Sequence, residues 1–390
     1  MTIEGSSAGR AAPRIRLGQV GGGSDAFIGA VHRIASRIDD RYELVAGAFS
    51  STAERSQASG AALGVEPART YDDYEAMAKR ERRLKDGIEA VSIVTPNHLH
   101  VPVAKAFARA GIHVICDKPL ASSLRDAKSL RSVVEKAGIV FAVTYNYTGY
   151  PMVRQAREMV RNGEIGAVRV VRVEYPQDWL AEDLETTGQK QADWRVDPAR
   201  AGVGGSLGDI GTHAYHLAGF VTGLEVSELL CEATSFVAGR RLDDNAQVLL
   251  RFDGGARGAL WCSQVAPGHE NGLRLRVYGE RGGLEWSQEN PNALWHTPLG
   301  EPKRLVTRNG AGAGAAAGRV SRVPAGHPEG YLEGFANVYR EVADAIQARR
   351  DGREPDGAVM FPGLEDGIHG VAFVEAAVRS SEKGGRWVSL

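Results

Sequence analysis

Three side chains in this 390-residue chain have the types needed to move a proton and a hydride at a carbinol carbon. Such a carbon releases hydride only as its hydroxyl proton leaves, so the chemistry needs a base titrating near neutrality and a cation that stabilises the developing alkoxide. Lys118, in Cys116–Asp117–Lys118–Pro119, can supply the cation. His213, in Gly208–Asp209–Ile210–Gly211–Thr212–His213, can supply the base. Asp209 stands four residues before it, on the same face of a helix, where it can bind a substrate hydroxyl or tune neighbouring charges. Gly204, Gly205, Gly208 and Gly211 would let that helix backbone approach a flat ligand. Taken singly, each has a plainer reading: a lysine beside proline is usually a solvated charge, a helix histidine is usually packed, and His216 competes on the same helix. Their weight comes from occurring together.

A hydride acceptor is suggested by Leu17–Gly18–Gln19–Val20–Gly21–Gly22–Gly23 and the helical start that follows it. Gly21, Gly23, Phe27 and Ile28 are the candidates for holding a pyrophosphate, because glycine adopts the unusual turn angles and exposes bare N–H groups at the positive end of a helix. The spacing departs from G-x-G-x-x-G, since Ser24, Asp25 and Ala26 lengthen the loop before Gly29, and a glycine-rich surface turn has the same composition. An acid closing the second strand would bind the ribose hydroxyls of NAD, but Phe49, Ser50, Ser51 and Thr52 stand there, with Arg55 just beyond. Ser50, Ser51 and Arg55 suit the extra phosphate of NADP or, equally, a capped helix with an exposed arginine, so the cofactor is expected to be NAD or NADP. Thr95, Pro96, Asn97 and His100 follow a further strand, and Asp117 and Lys118 close the next, both at the carboxyl edge where doubly wound sheets bind ligands.

The elements that must carry these residues alternate in the first third of the chain. Strands are predicted over 15–20, 42–48, 90–94, 113–116 and 140–144, and helices over 29–38, 52–63, 72–81, 101–110 and 123–137. After Tyr145 a helix over 151–162 gives way to runs at 168–175, 225–236, 247–252, 259–265 and 273–278, whose alternation, as in Leu273, Leu275 and Val277 against Arg274 and Arg276, marks a sheet with one buried face. The expectation is an α/β fold: an N-terminal Rossmann doubly wound parallel sheet over 14–145, then a catalytic and oligomerisation α/β domain over 146–390 with a large, mostly antiparallel open sheet. The glycine- and alanine-rich stretch 309–318 is expected to be a mobile loop. Helices over 331–349 and 364–381 are expected to pack back on the body, and residues 1–13 to form a frayed tail.

These segments, in this order, resemble the family of glucose–fructose oxidoreductase, inositol dehydrogenase and the rhizopine-catabolism protein MocA, from about Arg14 to the C-terminus. The resemblance implies a nicotinamide-dependent sugar or cyclitol dehydrogenase. It places Lys118 near both substrate oxygen and nicotinamide and maps an Asp-x-x-x-His pair onto Asp209 and His213. In that family the lysine usually follows glutamate; here Asp117 is one methylene shorter. Asn146 falls beside the cofactor, and the serine and basic residue of NADP-using members resemble Ser50 and Arg55.

For substrate, Tyr147, Arg154, Gln177, Trp179, Lys190, Trp194 and Arg195 supply aromatic faces and hydrogen-bonding groups that suit a polyhydroxylated ring, together with Lys118, Asp209 and His213. The cations Arg154, Lys190 and Arg195 would also pair with an acidic or sulfonated sugar. An NAD-dependent glycosidase, which oxidises a glycoside transiently, eliminates the aglycone and returns the hydride, needs the same residues. A non-catalytic sensor on the same fold is disfavoured by the joint retention of Lys118, Asp209 and His213. With 43% hydrophobic and 24% charged residues and a net charge of -1, nucleic acid and membrane partners are not indicated. Cys116, Cys231 and Cys262 lack metal-ligand spacing, so no metal is expected and reduced thiols in a cytoplasmic homodimer or homotetramer are.

Overall fold

The structure, a computed structural model, describes residues 13–24 and 26–390, with the side chain of Lys190 also outside the described set. The expected tail over 1–13 therefore lies outside the described residues except for Pro13, as does Asp25.

Five strands, β1 (Ile15–Gly21), β2 (Tyr42–Ala48), β3 (Ala90–Val94), β4 (His113–Cys116) and β5 (Phe141–Val143), form a parallel sheet in the order β2-β1-β3-β4-β5. Helices on both faces bury the strands, and every residue of β3 is buried, which is why they read as continuous apolar runs. An isolated parallel bridge between Gly47 and Thr70 continues the sheet beyond β2. The strand order reverses between β1 and β3, where Gly21 pairs with Val94, and a crevice opens outside their carboxyl ends. The helix expected over 101–110 begins earlier and runs Asn97–Arg109, with Pro102 inside it. The helix expected over 123–137 is broken into Leu124–Lys128 and Arg131–Ala137. At the break the Ser129 hydroxyl donates to the Asp126 carbonyl, a local bond that competes with continued helix.

The second sheet has nine strands among the described residues. β6 (Val168–Pro176), β7 (Val226–Thr234), β8 (Asn245–Phe252), β9 (Arg257–Ser263), β10 (Arg274–Gly279), β11 (Gly282–Ser287), β12 (Ala293–Pro298), β13 (Arg304–Thr307) and β14 (Val388–Ser389) are ordered β13-β12-β11-β10-β6-β9-β8-β7-β14. All neighbours are antiparallel except β6 beside β9. One face, including Val171, Val173, Leu275, Val277 and Trp286, is buried under the helices Pro151–Arg161 and Thr212–Thr222. The other leaves Val170, Leu249, Tyr278 and Trp295 exposed.

The stretch 309–318 is not the expected open loop. Its end enters a short helix, Ala315–Arg319, whose Ala317 is fully buried, and the Gly314 amide donates to Gln155 Oε1 at 2.6 Å. Small side chains here permit close docking against the helix Pro151–Arg161 rather than mobility. The C-terminal helices do pack back: Phe335, Tyr339 and Ile346 of Tyr331–Arg350 join Val31 and Ala35 over the first sheet. Leu364–Glu382 sends Ile368 and Val371 into the first core and Phe373 and Val374 into the second.

His113 Nδ1, in β4, accepts the Val140 amide at 2.9 Å, and burial, then Arg349, push its pKa down to about 4. The unfolded chain therefore takes up a proton at His113 that the native chain refuses, so this contribution is present above pH 6.5 and lost on acidification towards 4. His113→Gln, which can keep the acceptor without titrating, is expected to lose less stability than the parent between pH 6.5 and 4 in denaturant titrations; equal slopes would contradict this.

Candidate active site

Beneath the carboxyl ends of β1 and β3 lies a cleft of about 1530 Å³, walled on its far side by the second sheet and its helices. That exceeds the 300–1000 Å³ typical of a single small-ligand pocket and leaves room for a dinucleotide with a substrate beside it. Its floor is the glycine turn. Gly21 (φ +76°) and Gly22 (φ +60°) take left-handed conformations, so the unusual backbone falls on these two, while Gly23 is buried against the cleft. The helix Phe27–Ile38 follows with no acid in its first turn, and among the described residues no side chain caps its leading amides. Phe27 and Ile28 line this end. A helix start that no described side chain caps, behind left-handed glycines, fits a pyrophosphate, and the buried Thr95 Oγ1 and Asn146 Nδ2, which have no hydrogen-bond partner among the described residues, fit a bound polar ligand along the same wall.

Ser50, Ser51 and Arg55 line the cleft as expected, but Asp72 and Asp73 line it too. The Gly47–Thr70 bridge and the bond from the Tyr71 amide to the Gly47 carbonyl set Asp72 alongside the end of β2. The acid absent from β2 thus arrives from the following segment. Asp73 is occupied, capping the helix Tyr74–Glu81 through the Ala76 amide.

Thr95, Pro96 and Asn97 reach the cleft, and Asn97 Nδ2 donates to the Ala201 carbonyl at 2.9 Å, tying the first sheet to the segment that leads into the Asp209 helix. His100 does not line the cleft. It is buried between the Pro119 carbonyl (2.7 Å) and the Thr95 carbonyl (2.8 Å), where it braces one strand end against the other, and burial lowers its pKa.

Lys118 and Asp209 meet across the cleft. Lys118 Nζ donates to Asp209 Oδ1 at 3.0 Å and to the Asp209 carbonyl at 2.6 Å. Gln264 Nε2 donates to the other carboxylate oxygen at 2.9 Å, and Arg195 Nε lies 3.4 Å from it. Burial alone would raise the Asp209 carboxyl, but Lys118 and then Arg195 outweigh it and hold it well below the usual carboxylate range. Asp209 sits in a single π turn, Leu207–Gly211, that continues as the α-helix Thr212–Thr222. Asp243 fastens the start of this turn, accepting the Gly205 amide at 2.7 Å, the Ser206 hydroxyl at 2.6 Å and the Leu207 amide at 2.8 Å. Glycine is required at 205 because a Cβ there would come within 2.1 Å of the Asp243 carbonyl oxygen. The expected reason, close approach to the ligand, suits Gly208, beside which a Cβ would meet open space, but Gly211 faces Cys262 instead.

Of the two helix histidines, His213 faces the cleft. It is buried edge-on to Tyr147 at 4.8 Å, with Nδ1 unpartnered. Burial, then the Lys118 charge, lower its pKa well below the ordinary value, so the ring is neutral at neutral pH and, before ligand binds, a weaker base than the near-neutral one expected from the sequence. His216 is spent elsewhere, stacked on Tyr145 at 4.1 Å and 3.0 Å from Asp366.

Gln177, Trp179, Trp194 and Arg195 line the outer cleft, with Arg195 over the Trp194 ring at 4.3 Å. Tyr147 joins a chain the sequence did not reveal: its hydroxyl meets that of Tyr175 at 2.5 Å, which donates to Asn271 Oδ1 at 2.7 Å, also bonded by Gln177. Arg154 is a correction. It is fully buried away from the cleft, paired in two bonds with Glu341 and donating to the Thr148 carbonyl, because a guanidinium there staples the helix Pro151–Arg161 to the helix Tyr331–Arg350. Lys190 opens the short helix Lys190–Arg195, but its side chain lies outside the described residues. Tyr175, Gln264 and Asn271 were missed; Tyr175 and Asn271 line the cleft, while Gln264, just past β9, is buried behind Asp209, and a place at the end of a strand was the one available signal for Tyr175 and Gln264.

Residues 15–145 match the oxidoreductase family with an NAD-binding Rossmann fold, and residues 153–285 match the Gfo/Idh/MocA C-terminal domain. The chain is 61% identical to an oxidoreductase of Sinorhizobium meliloti, covering 97% of this chain and 100% of that one, with a TM-score of 0.89. It is 38% identical to an inositol dehydrogenase homologue of Azotobacter vinelandii complexed with NADH and myo-inositol (97% and 98% covered, TM-score 0.90). It is 26% identical to a levoglucosan dehydrogenase complexed with NADH and levoglucosan (97% and 99% covered, TM-score 0.81). With both regions matched in order and relatives aligned along nearly the whole chain, the protein belongs to the Gfo/Idh/MocA family of NAD-binding oxidoreductases.

Proposed function

We propose that the protein oxidises a secondary hydroxyl of a neutral cyclitol or sugar, with residues 14–145 seating the dinucleotide and 146–390 the substrate. The observation that carries this is the meeting of Lys118, Asp209 and His213 beside an uncapped glycine turn in one cleft. Bound dinucleotide supplies the hydride acceptor. His213, kept neutral by burial, takes the hydroxyl proton, and Lys118 stabilises the charge developing on that oxygen. Asp209 holds the lysine and offers a carboxylate to a neighbouring hydroxyl. A neutral substrate is favoured over an acidic one because Arg154, one of the cations that would have met an acidic group, is spent on Glu341 away from the cleft, while Lys118 and Arg195 share the one carboxylate of Asp209. Myo-inositol and levoglucosan, carried by the related structures, are the first compounds to assay.

Incubation with NAD and a panel of cyclitols and sugars is expected to yield NADH in proportion to oxidised product, and Lys118→Ala to lower kcat by about two orders of magnitude or more while dinucleotide still binds. Release of sugar from a glycoside without net NADH, or unchanged turnover in the variant, would contradict the reading.

Asp72 favours NAD over NADP by placing a negative charge beside Ser50 and Ser51, where an added phosphate would stand. Asp72→Ser is expected to lower the NAD-to-NADP ratio of kcat/KM about tenfold, the scale of one lost charge contact; an unchanged ratio would remove Asp72 from that role.

The uncovered sheet face carrying Val170, Leu249, Tyr278 and Trp295 is the surface for a homodimer or homotetramer. Light scattering should give a mass of at least two chains, and a single-chain mass at assay concentration would contradict this assembly.

A further inference from the structure

Behind the cleft, out of reach of any ligand, a buried histidine touches the residue that precedes the lysine. His32, on the helix Phe27–Ile38, is fully buried and does not line the cleft. Its Nδ1 lies 2.7 Å from the Tyr339 hydroxyl and 3.3 Å from Ser92 Oγ. Its Nε2 has no hydrogen-bond partner and points at Asp117, 3.9 Å from Oδ1. That separation is beyond a hydrogen bond, so the contact is one of charge and dipole.

We propose that His32 is a positioning residue for Lys118, acting through the Asp117 carboxylate. The inference rests on the assignment of Lys118 given above. Asp117 Oδ1 accepts the Lys118 amide at 2.8 Å and the Thr144 hydroxyl at 2.9 Å, so wherever this oxygen sits, the Lys118 peptide sits with it. In this proposal the Tyr339 hydroxyl is the donor to Nδ1, an assignment that puts the ring proton on Nε2, aimed at the same oxygen. Tyr339 belongs to the C-terminal helix Tyr331–Arg350, and its ring is pinned by Phe335 and Tyr42. The Lys118 amide and the Thr144 hydroxyl thus bond the Asp117 oxygen while the His32 ring faces it by charge and dipole, and Asp209 holds the other end of the lysine. An apolar residue would fill the space at 32 with no unpaired nitrogen. The other histidine packed at this strand end, His100, has each ring nitrogen within 2.8 Å of a carbonyl oxygen, whereas His32 Nε2 faces Asp117 Oδ1 at 3.9 Å.

The shortened acid bears on this arrangement. With aspartate at 117 the gap to Nε2 is 3.9 Å, longer than a hydrogen bond.

The test is a double-mutant cycle on the full chain, with kcat, dinucleotide Kd and thermal unfolding measured in parallel. His32→Leu is expected to lower kcat about tenfold with Kd within about twofold, and the same change in an Asp117→Asn background to lower kcat less than about twofold. Equal losses in both backgrounds would mean that His32 only packs. Tyr339→Phe, which removes one hydroxyl, gives the same contrast in smaller measure if His32→Leu does not fold. A readout free of turnover is the nitrogen-15 spectrum of the histidines without cofactor: the His32 signal is expected to show the proton on Nε2 and to shift in Asp117→Asn, and a proton on Nδ1 with no shift would overturn the proposal. If Lys118→Ala keeps parental activity, the underlying assignment fails; if it is inactive and the cycle is additive, only the role of His32 does.

Discussion

The ammonium of Lys118 resting on the carboxylate of Asp209 is the contact on which the rest of the site depends. It joins the end of β4 in the parallel sheet to a π turn supported by the second sheet, so neither half builds the site alone. Removing a buried partner from such a pair leaves an uncompensated charge, a cost of several kcal/mol. The pair is therefore held from both sides: Gln264 and Arg195 take the second Asp209 oxygen, and Asp243 clamps the backbone from which Asp209 projects. Among the described residues, His213 Nδ1, Thr95 Oγ1 and Asn146 Nδ2 are cleft-lining atoms left without a hydrogen-bond partner.

The relative placement of the two sheets is fixed by chain segments distant in sequence. Arg154 bonds Glu341 across 187 positions, and Asn97 bonds Ala201 across 104. The helices Tyr331–Arg350 and Leu364–Glu382 insert side chains into the first core, so the end of the chain closes the domain that its beginning opens. The geometry of the site is thus a property of the whole chain.

Much of the first sheet was legible because a parallel sheet buried on both faces writes itself as apolar runs of strand length, as in Ala90–Val94. Strands β11 to β13 were not, since Gly282, Gly283 and Pro298 interrupt the alternation that marks a strand. Lys118, Asp209 and His213 were legible by type and motif. Their partners were not: nothing local in the sequence says that Arg154 spends its charge on Glu341, that Gln264 reaches Asp209, or that Asp72 comes to the cleft beside the end of β2. The glycines near Asp209 were noticed for a ligand's sake, whereas Gly205 is needed by the backbone of Asp243. Tertiary contact, invisible to spacing, decides which charged side chain is a tool and which is a staple.

The most direct measurement is a crystal structure with NAD and a turned-over cyclitol or sugar bound together. The account predicts one substrate hydroxyl within about 3.2 Å of both Lys118 Nζ and the His213 ring, its carbon facing the nicotinamide. A substrate hydroxyl that meets neither group, with Lys118 still locked on Asp209 and turned away from the ring, would contradict it.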